Sequence, residues 1–341
     1  MIEDPAALNS TRKRPSRAAT RTDVAIKAGV STAVVSYVIN NGPRPVAAAT
    51  RKRVLEAMSA LDYRPNAAAR ALRTKKATAI GLVVPDVSNT YFGMLARAIT
   101  KKAFDAGFAL FLGDADNDAE REAEQIESLV GRQIDGLIIV SLEPSSLDET
   151  RGIPTVYLDH RTQPGQKSIL IDNLDGARQA VEHLLAHRRR IIAHIAGPEG
   201  APGADDRVRG WERTLRSAGA LEGLDFLRRI EFSREGGYQV GRELLGDPSN
   251  RPDAIFVGSD VQALGLLRAA RELNVDVPGD LAVISFDGTD DAIYSVPPLT
   301  AIEQPVDEIA GAALNAVLYP DRAVPDRIPV RIVIRESCGS H

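Results

Sequence analysis

Several short apolar runs in the second part of this chain end in a side chain able to hold a polar ligand. AIGLVV is followed by Asp86, FALFLG by Asp114, GLIIV by Ser141, TVYL by Asp159, AIFVG by Ser259 and Asp260, and LAVISF by Asp287. In open α/β sheets the carboxyl edge of the strands is where ligands bind. The chemistry on offer is binding rather than turnover: the chain contains no G-x-G-x-x-G, Walker loop, G-x-S-x-G or H-E-x-x-H. GPEGAPGADD, residues 197–206, has loose glycine spacing and two prolines and reads as a plain loop. His183 and His187 stand at the i, i+4 spacing of two metal ligands. No Glu or Cys motif lies beside them, so they read as a solvated helix face. Neither a metal nor a cofactor is expected, and catalysis has no residues to run on.

A second group of residues capable of recognition lies near the start, in a region of opposite charge. The 341 residues carry a net charge of −4, but residues 1–76 hold 15 Lys/Arg against 5 Asp/Glu, leaving 27 against 41 for residues 77–341. The head is therefore +10 and the body −14. A basic head can neutralise phosphates that an acidic body would repel, so nucleic acid belongs to the head if anywhere. No stretch approaches a membrane span and the first residues lack the apolar centre of a secretory signal, which predicts a cytoplasmic protein with no membrane partner. The single cysteine, Cys338, excludes an intramolecular disulfide and any multi-cysteine zinc site, and reads as a bystander near the tail.

Inside the head, Thr20-Arg21-Thr22-Asp23 matches the capping box that opens a helix. Val24, Ala25 and Ala28 supply its apolar side, Gly29 ends it, and Ser31 can cap the next helix. In that second helix Val34, Val35, Val38 and Ile39 form the buried stripe. Thr32, Ala33, Ser36, Tyr37 and Asn40 fall on the opposite face, which makes the pair a helix-turn-helix with its reading surface outward. A third helix is predicted from about residue 48 to 61, closing the core with Val54, Leu55, Met58 and Leu61 while Arg51, Lys52 and Arg53 stay outside. AAARALR, after Tyr63-Arg64-Pro65-Asn66, is a short Ala-rich segment too brief to be a stable helix unaided.

These pieces resemble the lactose/galactose repressor (LacI/GalR) family of bacterial transcription regulators. The resemblance rests on DVAIKAGVSTAVVSYVIN and TRKRVLEAMSALDYRPNAAARAL, and continues through IGLVVPDVSNTYF, DRVRGW and ISFDG, about 320 of the 341 residues. It implies that Thr32, Ala33 and Tyr37 face base edges in the major groove, with Ser31, Ser36, Asn40 and Arg44 near phosphates. Thr22, Asn66 and Ala69 join the DNA-contacting set. Small side chains at Thr32 and Ala33 would seat the helix deeply and offer methyls to thymine. Tyr37 departs from the Arg that many relatives carry there, and packing on the sugar-phosphate backbone stands beside base contact as its role. AAARALR resembles the family's hinge helix, with Leu72 as the apolar wedge at a central base step; packing on the body is the alternative.

For the body, alternating apolar runs and helical segments predict parallel sheets wound with helices, in two lobes. The fold class is therefore α/β: a helix-turn-helix head and hinge helix joined to a two-lobed, periplasmic-binding-protein-like body. The expected divisions are a disordered basic arm over 1–19, the DNA-binding domain over 20–64, hinge and linker over 65–76, and the body over 77–341. By resemblance the first lobe spans about 77–173 plus 305–325 and the second about 174–304 plus 326–338. The ligand shell carried over by motif is Asn89, Tyr91, Phe92, Asp159, Arg207, Phe232, Ser259 and Asp287. A planar Arg and several carboxylates can each grip adjacent hydroxyls while an aromatic face covers a ring, which suits a sugar. Alternatives stand beside these roles: Asp159 or Asp287 could cap a helix, Phe232 could be core, and Arg207 could join a surface network with Asp205, Asp206 and Arg209.

The resemblance thus implies a homodimeric repressor of carbohydrate uptake or catabolism genes. It would bind a near-palindromic double-stranded operator and be released by a small sugar effector. A purine or other corepressor, an activator, a solute-binding protein and an enzyme fused to a DNA-binding head remain as alternatives.

Overall fold

The computed structural model describes residues 19–40, 42, 44–64, 78–141, 150, 152–160 and 166–339. The expected basic arm and the hinge segment with Asn66, Ala69 and Leu72 lie outside the described residues. The chain divides between Ala77 and Thr78 into two compact units, a head and a body.

In the head, α1 (Arg21–Ala28), α2 (Thr32–Asn40) and α3 (Ala48–Ala60) follow the local chemistry of the sequence. The Thr20 hydroxyl accepts from Asp23 N–H, and the Asp23 carboxylate accepts from Thr20 N–H at 2.7 Å, so two open donors at the helix start are satisfied reciprocally. Gly29 then takes the left-handed conformation, φ 64°, that turns the chain. The Ser31 hydroxyl accepts from Val34 N–H at 3.3 Å as α2 begins. Val24, Ala25, Ala28, Val35, Val38, Val54 and Ala57 form the core, with Ile39, Met58, Leu61 and Tyr63 packed at its edge. Leu55 is a correction, since it is 49% exposed and the small Ala57 is buried instead. On a 3.6-residue period, 54, 57, 58 and 61 share one face, and residue 55 is rotated 100° away from 54.

The body contains two six-stranded sheets. The first has the order β11-β5-β4-β3-β1-β2 and is parallel throughout. Its strands are β1 (Ala79–Val84), β2 (Ala109–Asp114), β3 (Gly136–Val140), β4 (Thr155–Leu158), β5 (Lys167–Ile171) and β11 (Arg327–Ile328). Its helices are α4 (Thr90–Asp105), α5 (Ala119–Gly131) and α11 (Val306–Leu318). The second has the order β12-β10-β9-β8-β6-β7, parallel except where β12 joins. It comprises β6 (Ile192–Ala196), β7 (Leu227–Arg229), β8 (Ala254–Val257), β9 (Ala282–Asp287), β10 (Thr300–Glu303) and β12 (Arg331–Val333). With it go α6 (Asn173–Ala186), α7 (Pro202–Ala218), α8 (Arg234–Leu245), α9 (Asp260–Glu272) and the short α10 (Asp290–Tyr294). Strands β1, β3, β6, β8 and β9 are buried along their whole length, as parallel strands covered on both faces must be.

The chain crosses between the lobes three times, at Asp172, at Gln304-Pro305 and at Pro329-Val330. The last crossing falls a few residues later than the expected boundary at about 326, because Arg327 and Ile328 still pair in parallel with β5 of the first lobe. Strands β5, β7 and β10 were not among the apolar runs read from sequence. Lys167–Ile171 mixes Lys and Ser with its apolar residues, Leu227–Arg229 is three residues long, and Thr300–Glu303 is four.

Candidate functional site

On the head, several of the residues expected to contact DNA are open to solvent. Thr22, Ser31, Thr32, Ala33 and Arg44 are exposed, and Ser36 and Tyr37 are half-buried. Asn40 is the last residue of α2. Tyr37 is held from behind by Gly42, whose N–H donates to the Tyr37 carbonyl at 3.1 Å. A Cβ on Gly42 would stand 2.5 Å from the Tyr37 ring, so only glycine lets the ring lie there.

On the body, all eight residues carried over as a ligand shell line one crevice between the lobes, enclosing about 640 Å³ including its open mouth. The apolar Leu158, Ile171, Ala201, Ala204 and Ile309 complete its walls with Ser141 and Gln304. Arg207, on α7, is 6% exposed, and its Nε donates to Asn173 Oδ1 at 2.9 Å. Its Nη1 donates to the Gly258 carbonyl, and its guanidinium carbon lies 3.7 Å from the centre of the buried Phe286 ring and 5.9 Å from that of Phe232. Asp205 pairs with Arg229 and Asp206 with Arg209 outside this arrangement, so Arg207 does not belong to their network.

Asp159 directly follows β4 and accepts two bonds from Asn173 Nδ2, at 2.8 and 2.9 Å. Asn173 therefore links a first-lobe carboxylate to a second-lobe guanidinium. The start of α7 comes so close that a Cβ on Gly203 would lie 2.3 Å from Asp159 Oδ2. Asp287 accepts from Gln304 Nε2 at 2.8 Å, and Gln304 is itself a crossing residue. Both carboxylate residues have positive φ, 53° for Asp159 and 111° for Asp287, conformations that surrounding structure must enforce. Neither caps a helix, whereas two other shell residues do: Asn89 Oδ1 accepts from Tyr91 N–H at 3.0 Å, and the Ser259 hydroxyl accepts from Gln262 N–H at 3.3 Å. Phe232 is half-buried at the crevice wall and not in the core.

Burial dominates the electrostatics. It raises the carboxyl of Asp159 against the opposing field of Arg207. It pushes Asp287 up to about 7, again against Arg207 and with repulsion from Asp260 adding to the rise. Burial and the two carboxylates also raise the Tyr91 phenol, so it stays protonated and able to donate. The crevice thus presents a fixed guanidinium donor, two acceptor carboxyls, a phenol and aromatic faces, the groups that bind adjacent hydroxyls and a ring.

Asn173 and Gln304 were missed by sequence reasoning, although each stands just past the carboxyl end of a strand, β5 or β10. The edge rule would have found them had those two strands been recognised.

Comparison with known proteins adds the decisive observation. Residues 20–66 match the bacterial regulatory proteins of the lacI family, and residues 181–338 match a periplasmic binding protein-like domain. Catabolite control protein A of Priestia megaterium is 32% identical over 326 residues, covering 92% of this chain and 98% of that protein. The chain belongs to the LacI family of bacterial regulatory proteins. Another relative is the ribose operon repressor of Halalkalibacterium halodurans, 33% identical over 92% of this chain and 96% of that protein. A solved structure of the Lac repressor dimer bound to operator and an anti-inducer matches with a TM-score of 0.82 and 28% identity, covering 95% of this chain and all of that one. As a LacI-family member the chain is a ligand-responsive DNA-binding transcription regulator and not an enzyme. No single helix among the described residues is long and apolar enough to cross a membrane.

Proposed function

We propose that this LacI-family regulator is a cytoplasmic homodimeric repressor of carbohydrate uptake or catabolism genes, released from a near-palindromic operator when a small sugar fills the crevice. The observation that carries this reading is the Asp159–Asn173–Arg207 chain, in which two side chains that line the crevice, one from each lobe, are joined through the buried amide of Asn173. A sugar whose hydroxyls engage Arg207, Asp159 and Asp287 would fix the angle between lobes that Asn173 now bridges. Thr90 on α4 also donates to Asp291 of α10 across the lobes at 2.7 Å, a contact that such closure would tighten or break. Phe104, Phe111 and Leu112, exposed on the first lobe, offer apolar surface to a second copy. Thr32, Ala33 and Tyr37 would read bases, with Thr22, Ser31, Ser36, Asn40 and Arg44 on the backbone and Asn66, Ala69 and Leu72 at the operator centre.

The test is thermal unfolding against a panel of monosaccharides, disaccharides, sugar phosphates and purines, followed by operator binding with the one that stabilises. A ligand at 100 times its Kd adds about 2.7 kcal/mol of stability. A sugar that stabilises the protein and weakens operator binding ~5 to 150-fold is the expected result. Stabilisation by a purine with tighter operator binding would replace induction by corepression, and a stabilising sugar with no effect on operator affinity would refute the coupling.

A further inference from the structure

Helix α6 begins beside the crevice, where Asn173 bonds to Asp159 and Arg207, and ends, about 21 Å away at 1.5 Å per residue, at a second cluster of chemically capable side chains. His183 in its last turn and His187 at its C-cap are joined there by Cys338, from a segment 151 residues further along the chain. The three ligand atoms all lie within 4.8 Å of one another, with Cys338 Sγ 3.4 Å from His183 Nε2. The two imidazole rings stand 4.8 Å apart between centres. Cys338 is fully buried, while both histidines are partly exposed, so the cluster is anchored on one side and reachable from the other.

We propose that His183, His187 and Cys338 form a binding site for a thiophilic divalent cation of the Zn²⁺ class, with the fourth position left to water. Two imidazoles and one thiolate are the donor types that Zn²⁺ takes, and three protein ligands leave one position open. Zn–S near 2.3 Å and Zn–N near 2.0–2.1 Å at tetrahedral angles put sulfur and nitrogen about 3.5 Å apart. The Cys338–His183 separation is already close to that value, and the widest pair, within 4.8 Å, needs to close by up to about 1.5 Å through rotation of a partly exposed ring. The sulfur is held by rigid structure. Ser337 beside it donates to the Val283 carbonyl at 2.6 Å and accepts from Thr300 N–H at 2.9 Å, which fixes the segment to the second sheet. Thr300 Oγ1, 3.0 Å from Cys338 Sγ, accepts from Arg335 N–H at 2.8 Å, leaving its proton to donate to the sulfur as an outer-shell group does for a bound thiolate. On loading, the thiol proton leaves to solvent as the sulfur–metal bond forms. The cation would fasten the last described residues of the chain to α6.

The experiment uses tag-free, reduced, full-length protein titrated with Co²⁺ and then with Zn²⁺. The expected result is one Co²⁺ per chain with a thiolate-to-cobalt charge-transfer band, displaced by one Zn²⁺, and a Zn²⁺-dependent rise of a few degrees in Tm. Cys338→Ser should abolish the charge-transfer band. His187→Gln, at a partly exposed helix end, should weaken Zn²⁺ at least ~10-fold and remove the rise in Tm while leaving the metal-free Tm within a few degrees of the unmodified protein's. Cobalt bound without the sulfur band, zinc bound equally by His187→Gln and the unmodified protein, or no metal retained at stoichiometric concentration would each overturn the proposal.

Discussion

Replacing Asp287 by Asn should stabilise the ligand-free protein at alkaline pH while weakening its hold on a sugar. Burial and the nearby Asp260 push this carboxyl to about 7, against an ordinary value of about 3.9. The folded state therefore keeps a proton that the unfolded chain has released, and stability falls as pH rises through the window from about 4 to 7. A gap of about three pKa units at 1.36 kcal/mol each sets an upper limit of about 4 kcal/mol on this loss above pH 7. Asparagine keeps an acceptor for Gln304 Nε2, is among the residues that tolerate positive φ, and carries no charge to desolvate. Some of the gain is lost with the attraction to Arg207, so Asp287→Asn should exceed the unmodified protein by about 2 to 4 kcal/mol at pH 8.5, roughly 5 to 15 °C in Tm. The difference should shrink towards zero at pH 4, where the native residue is neutral as well. In calorimetric titration the variant should bind the effector sugar ~10 to 150-fold more weakly, the worth of one hydrogen bond to a charged acceptor. A variant no more stable at pH 8.5, or a gap that persists unchanged to pH 4, would refute the reasoning.

Two further outcomes follow from the same geometry. Arg207→Met should lose about 3–5 kcal/mol by denaturant unfolding at pH 8, because Asp159 and Asp287 remain buried without their counter-charge. The loss should be smaller at pH 5, where Asp287 is protonated, and equal losses at both pH values would place the destabilisation in packing on Phe286 instead. Gly42→Ala should weaken operator binding without unfolding the head, since its Cβ would displace the Tyr37 ring. In a Tyr37→Ala background that effect should vanish, whereas additive losses in the double-mutant cycle would show that Gly42 does not act through Tyr37.

Much of this protein was legible from its sequence because the forces concerned act over a few residues. The Thr20–Asp23 box, the Gly29 turn and the apolar runs that became β1, β3 and β9 are set by backbone donors and neighbouring side chains. The eight shell residues were named from motifs, and the fold gathers them into one crevice. What the sequence could not assign was which residues separated by long stretches of chain meet. Asn173 holds Asp159 and Arg207 together only because β4 and β5 pair side by side and α6, which Asn173 begins just past β5, packs against α7. Gln304 reaches Asp287 only because β9 and β10 pair in parallel. His183 and His187, at i, i+4 spacing, read as a solvated face and Cys338 as a bystander, and no local pattern links the cysteine to the pair. Burial of the chain's last segment against the second sheet brings the thiol to the imidazoles, since long-range packing, and not periodicity, decides which side chains become neighbours.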